Sequence, residues 1–345
     1  MARRGVNGEV AVISQQLYGA LDLGTNNCRL LVAQPAATGF QVVDAFSRIV
    51  RLGEGVSQSG ALSLDAMART ISALRVCSNK LKWWRVPRVR LIATQACRTA
   101  ANGAEFIARV REEVGLELEV IDRETEARLA VAGASPLIAP DARNVVVFDI
   151  GGGSTELMWI STGANGHRIE QWTSLPEGVV TIAEAFGGID VDADTFGAMR
   201  LHIRPTIEAF AAEIAVKLGG KVGGTPMPDH LLGTSGTVTT ICGMQLGLRR
   251  YDRSRVDGSW LLHDDIVTVT EKLLGMSYAE RAASPCIGRD RADLVLAGCA
   301  ILEEIRRVWP VDRLRVADRG LREGLLTLMM TEDGTYGREA DGQES

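Results

Sequence analysis

Two segments more than a hundred residues apart are written in one grammar. Tyr18-Gly19-Ala20-Leu21-Asp22-Leu23-Gly24-Thr25-Asn26-Asn27 and Val147-Phe148-Asp149-Ile150-Gly151-Gly152-Gly153-Ser154-Thr155-Glu156 each begin with an apolar run. Each then places one Asp, a glycine turn carrying polar side chains, and a second apolar stretch (29–33 and 157–160). This pattern predicts a hairpin with a carboxylate at the strand end. Glycine in the turn admits positive φ and close approach of a ligand, so backbone N–H groups can cradle an anion. An Asp beside such a cradle suits a magnesium ion or an ordered water. One copy would be only a turn; two copies predict homologous lobes facing one phosphate-bearing ligand.

At 345 residues the chain is long enough for two domains with their own cores. Its 46% hydrophobic and 23% charged residues are ordinary for a globular protein. A net charge of −5 and a pI near 5.6 argue against DNA or RNA held by bulk electrostatics. Six cysteines lie scattered without a Cys-x-x-Cys pair, and there are only four His, which argues against zinc and suits reduced thiols. The basic start lacks a following apolar segment, so no signal peptide is expected. The longest apolar stretch, 294–302, is about half of what a membrane span needs. A cytoplasmic protein without membrane contact is the expectation.

Residues 1–15 show little pattern and are expected to be a disordered leader. Strands are predicted over 17–23, 28–33 and 41–51, then a helix over 63–84 with Ser63 as N-cap, a strand over 89–94, a helix over 102–114, a strand over 116–121 and a helix over 123–132. Pro136, Pro140 and the polar residues up to Arg143 mark a boundary. The pattern then restarts with strands over 144–149, 156–160 and 168–174. Helices over 177–186 and 193–218, a loop over 219–228 and a strand over 230–233 follow. The remainder reads as helices over 236–247, 263–274, 278–283 and 289–308, a strand over 313–317 and a last helix. Residues 332–345 are polar and are expected to be disordered. Three strands followed by alternating helix and strand, twice over, is the outline of an α/β protein. By analogy it has two duplicated ribonuclease-H-like lobes of the actin-like ATPase and sugar kinase superfold, with the site in the cleft between them. The expected lobes are 16–135 and 136–319, with the helix over 320–331 packing back on the first.

The candidate phosphate-binding residues are Gly24, Thr25, Asn26 and Asn27 on one wall and Gly151, Gly152, Gly153, Ser154 and Thr155 on the other. Gly233, Thr234, Ser235, Gly236 and Thr237 form a third segment, a buried strand turning into a helix N-terminus that can hold an anion. Asp22, Asp149 and Glu156 would repel one another near such turns unless a cation sits among them, which implies Mg2+. Arg98, just past a strand, can clamp a phosphate with its guanidinium. Glu124 and Glu126 are two apart on a helix, so at most one faces the cleft. A carboxylate there could take a proton from attacking water, while first-turn acids also simply suit a helix dipole.

Several of these segments together resemble the exopolyphosphatase and guanosine pentaphosphate phosphohydrolase (Ppx/GppA) phosphatases in their short two-domain form. They are 20–26, Ala93-Thr94-Gln95-Ala96-Cys97-Arg98, Thr125-Glu126-Ala127-Arg128-Leu129, 148–156, Leu175-Pro176-Glu177-Gly178-Val179, 233–237, Arg291-Ala292-Asp293 with Gly298, and 318–324. The resemblance implies Mg-dependent hydrolysis of the terminal phosphate of inorganic polyphosphate, or of the 5′-γ-phosphate of guanosine pentaphosphate (pppGpp), and a homodimer. It makes Glu126 the general base, Asp149 and Glu156 the magnesium ligands with Asp22 aiding opposite, and Arg98 and the glycine turns the holders of the substrate's end. Two departures stand out. Thr125 replaces a second Glu before the base, and the first turn has Asn27 or Cys28 where Ser is usual. Arg48, Arg51, Lys80, Lys82 and Arg85 are candidates for a basic path along a polyanion, while a solvated helix face accounts for the last three equally well. A kinase of the same superfold and a non-catalytic scaffold are the competing classes.

Overall fold

A computed structural model describes residues 16–163, 166–219 and 226–336. The expected leader, part of the loop expected over 219–228, and residues 337–345 lie outside the described residues. The chain enters through a three-stranded meander, β1 (Tyr18–Leu23), β2 (Asn27–Ala36) and β3 (Gly39–Ile49). There follow α1 (Val56–Ser59), α2 (Leu64–Trp83), β4 (Arg88–Ala93), α3 (Gln95–Thr99), α4 (Gly103–Val114), β5 (Glu119–Val120) and α5 (Arg123–Ala134). A 3-10 turn at Ser135–Leu137 leads to a second meander, β6 (Asn144–Ile150), β7 (Thr155–Gly163) and β8 (Gly166–Leu175). Then come α6 (Val179–Phe186), α7 (Ala193–Lys217), β9 (His230–Thr234), α8 (Gly236–Gln245), α9 (Arg253–Val256), β10 (Trp260–Leu262), α10 (His263–Leu274) and α11 (Tyr278–Ala283). A 3-10 turn at Arg289–Arg291, α12 (Val295–Val308), β11 (Arg313–Ala317) and α13 (Leu321–Glu332) complete the chain.

The two ribonuclease-H-like sheets follow one plan. The first has the order β3-β2-β1-β4-β5, and the second, read the same way, β8-β7-β6-β9-β11-β10. β1 pairs antiparallel with β2 and parallel with β4, as β6 pairs antiparallel with β7 and parallel with β9. The centre of the second sheet is apolar on both faces. Val145, Val146, Val147 and Phe148 of β6 are all fully buried, as a strand covered on two sides requires. Ligands of such sheets sit beyond the carboxyl ends of the parallel strands. Here those ends carry Asp22 and Asp149.

Helices α5 and α13 lie between the sheets. α13 packs on β1, β2 and α5, whereas α5 touches β7, β8 and β9. One apolar cluster runs through Tyr18 and Ala20, then Leu325 and Met329 of α13, Leu129 and Ala130 of α5, and Val145 and Met158 of the second sheet. The helices cross on glycine. A Cβ on Gly133 would lie 2.1 Å from Gly320 O, and one on Gly324 would lie 2.1 Å from Leu129 O. Backbone meets backbone there, so any side chain would push the helices apart.

Local chemistry accounts for the element ends that matter. Ser63 caps α2 by accepting from Ala66 N, and Asp122 caps α5 by accepting from Thr125 N at 2.7 Å. The helix expected over 289–308 is broken: the 3-10 turn precedes α12, and Asp293 lies between them. α9 and β10 were not expected; they are too short for periodicity to register. Residues 332–336, expected to be disordered, are placed, since Tyr18 Oη donates to Asp333 Oδ2 at 3.0 Å and lies 3.0 Å from Thr335 Oγ1. Among the described residues no helix is long and apolar enough to cross a membrane.

Candidate active site

The two glycine turns close with the same bond. Gly24 N donates to Asn27 O, and Gly151 N to Ser154 O, each at 2.9 Å. Their carbonyls are tied to the chain that follows the third strand of each meander. Asn26 O accepts from Val50 N and Arg51 N, and Thr25 O from Gly53 N. In the second lobe Gly151 O accepts from Val179 N and Gly152 O from Val180 N. The turns also touch across the cleft. A Cβ on Gly152 would be 3.2 Å from Asn26 N, and one on Gly153 would be 2.3 Å from Gln95 Oε1.

Register places the carboxylates. Asp149 is paired with Glu156 across β6–β7 and with Thr234 on β9, while Asp22 is paired with Arg29 across β1–β2. Glu126 stands in the first turn of α5 and is 7% exposed. These four acids line one cleft with Gly24, Thr25, Asn26 and Asn27 from the first lobe. Gly151, Gly152, Gly153 and Ser154, then Ser235, Gly236 and Thr237, line it from the second. Glu124 stays outside, half-exposed and paired with Arg128 one helical turn on.

Four of the candidates do not line the cleft. Arg98, expected on the phosphate, instead donates through Nη1 to Glu126 Oε2 at 3.0 Å and to Ile121 O at 2.7 Å. Its Nε and Nη2 are buried and make no hydrogen bond among the described residues. Thr155 donates to Glu177 O, bracing the segment after β8. Gly233 is a packing glycine, because a Cβ there would lie 2.5 Å from the Phe148 ring. Thr234 is buried on β9 beside Asp149. Of the candidate basic path, Lys82 and Arg85 lie at or beyond the end of α2, next to the start of β4 and so at the sheet edge opposite the cleft. Lys80 is bound to Asp44.

Burial dominates the electrostatics. It pushes the carboxyl of Asp22 up to about 6, with Arg29 and Arg322 opposing. Burial and the neighbouring Asp149 raise Glu156 to about 7, against hydrogen bonds donated to its Oε1 by Ser154 and Ser174, both 2.8 Å. Asp149 is raised by burial. Glu126 is pushed up to about 8 by burial and by Glu156, with Arg98 pulling the other way. Four acids sharing a cleft, Glu126 and Glu156 buried and Asp22 and Asp149 partly so, would be eased by a cation.

The donor set fits Mg2+ shared with a ligand, not a closed protein cage. Among the described residues no three His, Cys, Asp or Glu converge tightly enough to hold a metal alone. Yet Asp22 Oδ1, Asn26 Oδ1 and Asn27 Oδ1 are buried acceptors without a partner. Magnesium commonly takes one or two carboxylates and completes its shell with water and substrate phosphates.

Arg29 and Arg291 line the cleft and were missed as site residues. Neither guanidinium has an ion-pair partner among the described residues. Arg291 lies over the start of α8, where a Cβ on Gly236 would be 3.6 Å from its Nη1. A signal for Arg29 was present in the repeat. It stands as far after Asp22 as Glu156 stands after Asp149. Gln95, Thr94 and Thr240 also line the cleft.

Residues 31–333 match the Ppx/GppA phosphatase family. The chain is 30% identical over 322 residues to exopolyphosphatase 2 of Mycobacterium tuberculosis, covering 89% of this chain and 96% of that one. The crystal structure of the Aquifex aeolicus Ppx/GppA family member superposes with a TM-score of 0.75 at 28% identity, covering 92% of this chain and 98% of that one. An exopolyphosphatase from Cytophaga hutchinsonii shares the fold, with a TM-score of 0.80 over 94% of this chain and 100% of that one, at 23% identity.

Proposed function

The chain belongs to the Ppx/GppA phosphatase family, and on that premise we propose that it hydrolyses the terminal phosphoanhydride of inorganic polyphosphate and releases orthophosphate. One observation carries the reading. A buried carboxylate, Glu126, opens into the same cleft as two facing glycine turns and the Asp149–Glu156 pair. A turn that presents backbone N–H groups grips phosphate oxygens, and an ionised carboxylate beside that grip suits a general base.

In the proposed reaction the turns at 24–27 and 151–154 and the start of α8 hold the terminal phosphoryl group. Arg29 and Arg291 add charge from opposite lobes. Glu126, held by Arg98, accepts a proton from a water whose oxygen bonds to phosphorus. The bond from phosphorus to the bridging oxygen breaks, and the shortened chain leaves with the electron pair. Positioning and charge stabilisation supply most of the acceleration. One or two of Asp22, Asp149 and Glu156, with water and substrate oxygens completing the shell, would hold Mg2+, which supplies neutralising charge for the phosphate oxygens. The phosphate grip serves guanosine pentaphosphate equally well, so the test is kcat/KM for long polyphosphate against that nucleotide. A ratio favouring polyphosphate supports the proposal, and one strongly favouring the nucleotide reverses it.

A further inference from the structure

Arg51 ties together parts of the cleft that are far apart in sequence. Its backbone N–H donates to Asn26 O in the first glycine turn at 3.0 Å. Its guanidinium crosses to the other lobe. Nη1 donates to Asp293 Oδ2 and Nη2 to Asp293 Oδ1, both at 2.9 Å, and Nη2 also reaches Asp290 O at 3.1 Å. Asp290 and Asp293 bracket Arg291, the cleft residue beside the start of α8. To make both connections Arg51 adopts φ 47, the left-handed region a non-glycine residue rarely enters. Its partner is fixed too, since a Cβ on Gly188 would lie 1.9 Å from Asp293 O. A second bridge joins the same lobes. Glu184 of α6 accepts from Gly55 N at 2.8 Å and from Ser57 Oγ.

We propose that the Arg51–Asp293 pair is a positioning element that sets the spacing of the two phosphate-gripping walls, so that substrate affinity depends on it more than the chemical step does. A two-bond guanidinium–carboxylate pair is strong and directional. At 30% and 22% side-chain exposure, it contributes little to global stability. Its leverage is geometric: it holds the first turn by the backbone and the Arg291 turn by the side chain. If the gripping arrangement is populated only in part, apparent affinity falls by that fraction, while saturating substrate restores the arrangement.

The proposal's kinetic arm rests on the phosphatase reading; its distance arm does not. Arg51→Gln, the near-isosteric Asp293→Asn and the double variant are compared with wild type for KM and kcat on polyphosphate. In parallel, spin labels on Leu64→Cys and Val216→Cys, exposed sites on α2 and α7, report the interlobe distance without substrate. Each single variant is expected to raise KM about tenfold with kcat within about twofold, and to lengthen or broaden the distance distribution. The double variant should be no worse than the more affected single one, and Arg51→Lys should recover part of the loss. Unchanged distances, a fall in kcat at constant KM, or single effects that multiply in the double variant would each overturn the proposal. If wild type hydrolyses neither polyphosphate nor guanosine pentaphosphate, the distances alone decide it.

Discussion

Asp149 and Glu156 are cross-strand partners on the β6–β7 hairpin, and both carboxylates line the cleft. The β1–β2 hairpin holds Asp22 and Arg29 in the same two positions. The duplicated fold therefore presents an acid–acid pair on one wall and an acid–base pair on the other. The acid–acid pair suits a cation; in the other pair Arg29 suits the oxygens of an anion, and Asp22 stays available to the cation.

Replacing the proposed base tests its role without changing its shape. Glu126→Gln should fold normally and lose at least ~100-fold in turnover, in line with general-base contributions. Phosphate release at saturating polyphosphate, beside a thermal unfolding curve, is the check. Near-normal turnover would assign the proton transfer elsewhere.

Arg98 supplies a pH prediction with a definite sign. Its charge lowers the Glu126 carboxyl, which burial otherwise raises. A base must be ionised, so kcat/KM should climb with pH through the ionisation of Glu126. Arg98→Met removes the opposing charge and should move that climb to higher pH. A limb that stays in place, with KM alone raised, would return Arg98 to the role of substrate clamp.

The buried acids also predict how stability responds to pH. Asp22 near 6, Glu156 near 7 and Glu126 near 8 lie above the usual range of about 4 for carboxyls in an unfolded chain. Between those values the folded protein binds more protons than the unfolded one. Stability should then fall as pH rises from about 4.5 to about 8. Added Mg2+ should raise the unfolding temperature more at pH 8 than at pH 5, because it binds the ionised forms. Calorimetry showing the opposite slope would contradict the burial of these groups as a set.

The helix crossing is testable by a single methyl. Gly324→Ala drives a Cβ into the backbone of Leu129, and Gly133→Ala into that of Gly320. Each should cost about 1–3 kcal/mol in denaturant unfolding, as overpacking does. Because α5 carries Glu126, turnover should fall as well. An unchanged midpoint would mean that the helices can separate freely.

Much of this architecture was legible because two hairpins repeat one local pattern, and local patterns survive in sequence. Asp22, Asp149 and Glu156 could be read from strand ends and turns alone. Arg98 could be placed near the cleft but not assigned its contact. Whether a guanidinium meets a phosphate or Glu126 depends on how α3 and α5 pack, and neither helix encodes that by itself. Arg291 stood in a segment that carries the family resemblance but was not assigned to the cleft, because the segment expected as one helix breaks at a 3-10 turn just before α12. For Lys82 and Arg85 composition left a polyanion track and a solvated helix face as equal readings. The chain puts them beside the start of β4, the end of the sheet away from the cleft, a fact set by topology rather than by charge. The position of α5 between the sheets was equally invisible, since its apolar face reads the same whichever sheet it covers.

The central claim is that one cleft, walled by two glycine turns, cuts terminal phosphate from a polyanion using Glu126. The most direct measurement is orthophosphate release from long-chain polyphosphate by wild type and Glu126→Gln, each with and without Mg2+. The account predicts Mg2+-dependent release by wild type and a loss of at least ~100-fold in the variant. Equal release by the two proteins, or none from wild type on either polyphosphate or guanosine pentaphosphate, would contradict it.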